Sequence, residues 1–203
     1  MAIENIEVMG LLLKTSKEVL FGGNEVSFII SPGKLNLIMG ATGIGKTSLV
    51  ELLALRSRSL ILKGTINRNG LNHPTYYAFL PQILWDIDDI TIKELIILAN
   101  KSVAVMETKH RAYLEARAKR DLSSLSGGEL RFCLFLLVSC QHQQVHIYDE
   151  PFLNLDPEKA SEVKKVLFKL VARGIIVIIV AHKNDYISLE DPSVNIIQLP
   201  RTC

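Results

Sequence analysis

Cysteine is scarce in this sequence and follows no pattern. Cys133, Cys140 and Cys203 are odd in number and lack metal-ligand spacing, which excludes a disulfide framework and a zinc site of the usual kind. Two of them lie in an apolar run and read as buried free thiols in a reducing compartment. Long hydrophobic runs are also missing. "IIVIIVA" and "LRFCLFLLVSC" fall well short of the roughly 18 residues that span a bilayer. The N-terminal "MAIENIEV" is acidic and lacks the basic-then-apolar order of a signal peptide. Nor is there a charge excess: 23 basic against 21 acidic side chains leave a formal +2, too mild to call for nucleic acid or an anionic membrane. Repeats, low-complexity tracts and linkers are absent, so a single domain is expected over 1–203.

What is present is apolar substance. Hydrophobic residues make up 48% of the 203, and the mean hydropathy is +0.25. Either a sheet buried on both faces or a surface kept for a partner produces that bias. Short apolar strands ("EVSFII", "LNLIM", "TYYAFL", "VHIY", "IIVIIVA", "VNIIQL") alternate with helical spacing in "LVELLALR" and "PEKASEVKKVLFKLVARG". That order predicts an α/β fold with a parallel sheet covered on both sides. Two helices, "TIKELIILAN" with a capping Thr91 and the amphipathic "HRAYLEARAKR", interrupt the alternation between Gln82 and Ser126 and read as a small inserted helical lobe.

"GATGIGKT", Gly40 to Thr47, fits G-x-x-x-x-G-K-[ST] and sits after a strand and before a helix. Glycines there let backbone N–H groups curl around phosphates, and the helix N-terminus adds partial positive charge. Lys46 is placed to reach phosphate oxygens, and Thr47 to hold Mg²⁺. "VHIYDE" ends a strand in Asp149 and Glu150, where parallel sheets bind ligands. Asp149 suits a metal shell, and Glu150 suits the alignment or deprotonation of a water. Gln82 follows the strand "AFLP", and His182 follows "IIVIIVA". An amide can reach a metal or a water. The histidine is either a surface residue or a contact for a phosphate.

In their order these pieces resemble the ATP-binding cassette (ABC) family of ATPases, across essentially the whole chain. "GATGIGKT" looks like Walker A, Gln82 like the Q-loop glutamine and "LSGGE" (Leu125–Glu129) like the LSGGQ signature. "VHIYDE" looks like Walker B, "LNLD" (Leu153–Asp156) like the D-loop and His182 like the switch histidine. The resemblance implies a P-loop NTPase fold with a mixed or parallel sheet core, an N-terminal antiparallel β part and an inserted helical lobe. A RecA-like core of about 1–82 and 143–203 would carry a lobe of about 83–142.

It also implies a site. Gly40, Ala41, Thr42, Gly43, Ile44, Gly45, Lys46, Thr47 and Ser48 would hold ATP, with Thr47, Gln82 and Asp149 serving Mg²⁺. Glu150, His182 and Gln82 would be catalytic. Ser126, Gly127 and Gly128 would meet the ATP of a second nucleotide-binding subunit, arranged head to tail. A separate integral-membrane permease is the implied partner, with the chain cytoplasmic and peripheral on the inner face of the membrane. A soluble ABC ATPase serving an assembly such as iron–sulfur cluster biogenesis is the alternative.

Several residues depart from the family pattern. No tyrosine precedes the phosphate loop to stack on adenine; Phe21 is the better candidate and Phe28 reads as core. Glu129 stands where the signature usually has glutamine. The helix after it is apolar, with Arg131 its only cation. His146 and Tyr148 interrupt an otherwise aliphatic strand, which suggests aromatic packing on the sheet. Trp85, in "ILWDIDD", suits either a permease-docking groove or packing within the lobe.

Overall fold

The computed structural model describes residues 3–57, 59–82, 90–99, 101–104, 106–181 and 187–200. His182, Trp85 and Cys203 lie outside these residues. The chain opens with β1 (Ile6–Lys14), β2 (Val26–Ile30) and β3 (Leu35–Met39), then α1 (Lys46–Leu53), β4 (Leu60–Asn67) and β5 (Tyr77–Leu80). Three short helices follow, α2 (Ile92–Ala99), α3 (Lys101–Ala104) and α4 (Thr108–Glu115), then α5 (Gly127–Ser139). The chain closes with β6 (Val145–Asp149), α6 (Pro157–Ala172), β7 (Ile176–Val180) and β8 (Val194–Gln198).

Five strands form the core sheet in the order β5-β6-β7-β3-β8, every neighbouring pair parallel. β3, β6 and β7 are buried at every residue, which is why their sequences are largely apolar, with Asn36, His146 and Asp149 the buried polar exceptions. A second sheet, β2-β1-β4, is antiparallel. It packs with α1 against one face of the core sheet, around Ile38, Ile147 and Ile178. α5, α6 and the lobe cover the other face, around Leu37, Tyr148 and Ile179.

The inserted lobe has one short helix more than expected, α3 lying between the two that the pattern predicts. α2 starts as expected: the Thr91 N–H and hydroxyl donate to the Glu94 carboxylate, and the Thr91 hydroxyl accepts from the Glu94 N–H. The second predicted helix begins earlier, at Thr108, and stops at Glu115.

His146 and Tyr148 do more than pack. Both are fully buried on the α5 side of β6. The Tyr148 hydroxyl lies 2.8 Å from the Ser139 hydroxyl and 3.1 Å from His146 Nδ1, tying the strand to the last turn of α5. The Phe135 ring sits 5.1 Å from that of Tyr148. Burial lowers His146 to about 4, so it is neutral at physiological pH. Cys133 and Cys140 are free thiols, pushed up by burial to about 12 and about 11, and are protonated.

Candidate functional site

The phosphate loop joins β3 to α1 through Gly45, whose φ of +108° suits glycine alone. A Cβ there would also press on Leu20 at 3.0 Å. The segment before β2 fastens to the loop, since the Phe21 N–H donates to the Ile44 carbonyl at 3.0 Å. Lys46 is 6% exposed. Its ammonium donates to the Gly40 and Ala41 carbonyls, both at 2.9 Å. The cation is therefore held over the loop by contacts that phosphate oxygens can replace.

Beside the loop lies an open cleft of about 370 Å³. Thr42, Gly43, Gly45, Lys46, Thr47 and Ser48 line it, together with Gln82 from the end of β5 and Glu150 from the end of β6. The fold thus collects loop, amide and carboxylate from three separate strand ends, the usual place for ligands in a parallel sheet. Thr15, Glu18 and Leu20 complete the wall. Sequence patterning gave no sign of these three, because nothing in it says that the β1–β2 connection crosses the loop.

Asp149 closes β6 and is wholly buried. Burial raises its carboxyl to about 6, against the opposing pull first of the Thr47 hydroxyl and then of Arg131. Neither carboxylate oxygen has a well-formed hydrogen bond among the described residues. A buried, unsatisfied carboxylate beside a threonine hydroxyl is a donor set that fits a hard divalent cation. Glu150 takes a left-handed φ of 54°, and its N–H donates to the Val180 carbonyl at 3.0 Å. That strained turn directs the chain off the sheet edge at the residue expected to be catalytic.

The signature segment lies outside this cleft; none of Ser126, Gly127 and Gly128 lines it. Ser126 caps α5, its hydroxyl accepting from the Glu129 N–H at 3.2 Å while its own N–H donates to the Glu129 carboxylate at 3.2 Å. Glu129 is further clasped by Arg117 at 3.1 Å and Arg120 at 3.3 Å. The Ser126 N–H first, and then Arg117, hold its carboxyl below the usual range. Arg117 in turn lies 3.7 Å over the Tyr113 ring, which meets Phe132 edge-on at 5.0 Å. The acidic departure from the family signature is neutralised by the basic segment before it.

Phe21 does not stack on a base. It is fully buried in the core beside β1 and α1, while Phe28 is only half-buried. No aromatic ring lines the cleft among the described residues. Arg131, noted in the sequence only as the lone cation of an apolar helix, reaches both the Gln82 segment and the end of β6. The signal was there: a cation in a buried helix must find acceptors.

Comparison with known proteins bears on the family and the fold. The model of the family described as "ABC transporter" matches residues 23–153. The manganese transport system ATP-binding protein MntB of Listeria innocua is 25% identical over 199 residues, covering 87% of this chain and 80% of that protein. The energy-coupling factor transporter ATP-binding protein EcfA of Methanococcus maripaludis is 24% identical, covering 82% and 66%. A solved structure described as an ATP binding subunit of an ABC transporter superposes with a TM-score of 0.80 at 19% identity, covering 97% of this chain and 87% of that one.

Proposed function

The chain belongs to the ABC transporter family, and from that premise we propose that it is the ATP-hydrolysing subunit of a transporter, pairing with a second such subunit and driving a separate membrane permease. The observation that carries this reading is the cleft. Lys46, Thr47, Gln82 and Glu150 meet there beside a buried, unsatisfied Asp149.

Each side chain then has a task. Lys46 exchanges its two loop carbonyls for β- and γ-phosphate oxygens of ATP, and the N–H groups at the start of α1 donate to the same anion. Thr47, Gln82 and Asp149 would hold Mg²⁺, which when bound supplies positive charge against the charge developing on the phosphates. Glu150 aligns the attacking water and takes its proton as the oxygen bonds to the γ-phosphorus and ADP departs. His182, outside the described residues, is assigned the γ-phosphate by the family resemblance alone. Ser126, Gly127 and Gly128 receive the γ-phosphate of the partner subunit's ATP, which accounts for their standing outside the chain's own cleft.

The permease is supported by a second surface. A groove of about 420 Å³ runs between the end of β5, α2 and α5, lined by apolar side chains such as Pro81, Leu98, Leu134 and Val138 together with Ser102, Gln141 and Gln143, and by no charged side chain among the described residues. Ile97 and Leu98 stand 61% and 79% exposed on α2. Apolar surface beside the Gln82 segment suits a docked helix, through which motion of the lobe (about 83–142) on the core (about 1–82 and 143–203) reaches the permease. No described helix is long and apolar enough to cross a membrane. In this reading the permease holds the chain at the inner face. The transport roles named for MntB and EcfA favour this reading over a soluble iron–sulfur ATPase. The test is MgATP hydrolysis by the purified chain, with affinity capture from detergent-solubilised membranes. The reading predicts turnover that Lys46→Ala abolishes, and a multi-span protein in the captured fraction; absence of both contradicts it.

A further inference from the structure

Arg131 occupies the second turn of α5 and is 95% removed from solvent, with 5% of its surface exposed. Its guanidinium meets four backbone carbonyls from two other elements. Nη1 donates to Pro81 at 2.5 Å and to Gln82 at 3.4 Å. Nη2 donates to Glu150 at 3.0 Å and to Asp149. Burial lowers the group to about 10, so it stays charged at neutral pH, and the Asp149 and Glu150 charges oppose that lowering.

We propose that Arg131 is a positioning residue that couples the signature helix to the hydrolysis site, by fixing the peptide groups of Gln82 and Glu150 to one rigid, planar cation on α5. The proposal rests on the reading of the cleft as that site. It follows from geometry. The phosphate-facing turn at Ser126 and the guanidinium of Arg131 ride on the same helix, so a tilt of α5 on contact with a partner's phosphate moves both peptide groups together. A flexible side chain could not transmit it. Two nitrogens held in one plane fix the separation between the two carbonyl pairs, whereas a lysine ammonium is a single point and cannot reach both at once. An apolar helix with one buried cation is the expected form of such a device: the helix body is anchored in the core, and the charge is satisfied only at the junction.

The role is that of a spacer and not of a reactant. Arg131 touches neither ATP nor the water; it acts through where it holds Gln82 and Glu150. Its loss should therefore reduce turnover while leaving nucleotide binding to the chain's own phosphate loop in place.

The test compares Arg131→Lys and Arg131→Met with the parent chain. Three quantities are read: ATP turnover, affinity for a fluorescent ATP analogue, and hydrogen exchange of the segments around Gln82 and Glu150. Turnover is expected to fall about 100-fold in both variants, the scale of loss when a catalytic group is misplaced by about 1 Å. Analogue affinity should stay within about threefold, a loss in kcat without a matching loss in binding. Exchange should rise about tenfold at those two segments together and not at β7. The lysine variant keeps charge and stem, so it reports on geometry even where the methionine variant folds poorly. Parent-like turnover and exchange in Arg131→Lys would overturn the proposal, as would a parallel loss of affinity. Exchange does not depend on hydrolysis. Coupled exchange changes in a parent chain that fails to turn over ATP would leave the clamp standing and remove the hydrolysis reading instead.

Discussion

Gly128 lies against the backbone of Asn154: a Cβ built on the glycine would meet the Asn154 carbonyl oxygen at 2.4 Å. Asn154 itself holds a left-handed φ of 61° in the loop between β6 and α6. The signature turn and the D-loop are thus seated on each other within one chain, before any partner arrives. A methyl group at Gly128 has a backbone atom in its way, which cannot rotate aside.

The neighbouring glycine provides the control. At Gly127 the nearest atom to a built Cβ is the Asn154 side-chain nitrogen at 3.6 Å, an ordinary contact. Gly128→Ala is expected to cost about 1–3 kcal/mol, as overpacking does, while Gly127→Ala is neutral or slightly stabilising because it lies in the first turn of α5. Thermal denaturation of both variants decides it. Equal melting temperatures for the two would mean the contact with Asn154 is not tight.

His146 sets an acid limit on stability. Its folded pKa, about 4, lies below the 6.5 of an ordinary histidine, because the buried ring resists charging. The unfolded chain therefore binds the proton first as pH falls. The stabilisation is complete above 6.5 and is lost progressively down to 4, by about 3 kcal/mol in all. His146→Phe removes that slope while Tyr148 keeps its bond to Ser139. Asp149, raised to about 6, gains stability as pH falls over part of this range, but it does so in both proteins and cancels in the difference. Urea denaturation at pH 7 and pH 5 should show the gap between variant and parent moving in favour of the variant at pH 5. A gap that does not change with pH would place the histidine in a wetter environment than described.

The clasp on Glu129 makes a prediction about charge. Arg117 and Arg120 neutralise a carboxylate that otherwise stands next to the turn proposed to meet a partner's phosphate. Their replacement by alanine, singly or together, should change folding stability by less than about 1 kcal/mol, since the pairs are partly exposed. It should weaken ATP-dependent association of subunits by about tenfold, the scale of an uncompensated like charge at an interface. Adding Glu129→Gln to the double variant removes the stranded charge and should restore association. If association stays weak after that change, the arginines act on the partner directly and not through Glu129.

Much of this site was legible because its motifs are local. A glycine-rich loop between strand and helix, and an acidic pair after an apolar strand, each announce themselves within a few residues, and the parallel sheet then brings Lys46, Gln82 and Glu150 to one cleft. What stayed hidden depends on contacts between distant segments. Phe21 read as a base-stacking ring because an aromatic residue before the loop has that look; its burial follows from the path of the β1–β2 connection, which no periodicity encodes. The small residues of the signature read as room for a partner's phosphate. Gly128 is also demanded by Asn154, 26 residues further along the chain. The extra helix α3 spans only Lys101–Ala104, too short to show a helical period.

The central claim is that this chain hydrolyses ATP as one half of a dimer, its cleft completed by the partner's signature turn. Glu150→Gln tests it most directly, because it removes the group proposed to align the water while leaving Lys46 and the phosphate loop intact. The measurement is the molar mass in solution by light scattering, with and without ATP and Mg²⁺. The account predicts one chain without nucleotide, two with it, and a return to one chain, still binding ATP, when Ser126→Arg is added. A mass that remains that of a single chain at saturating ATP, or full turnover in Glu150→Gln, would contradict it.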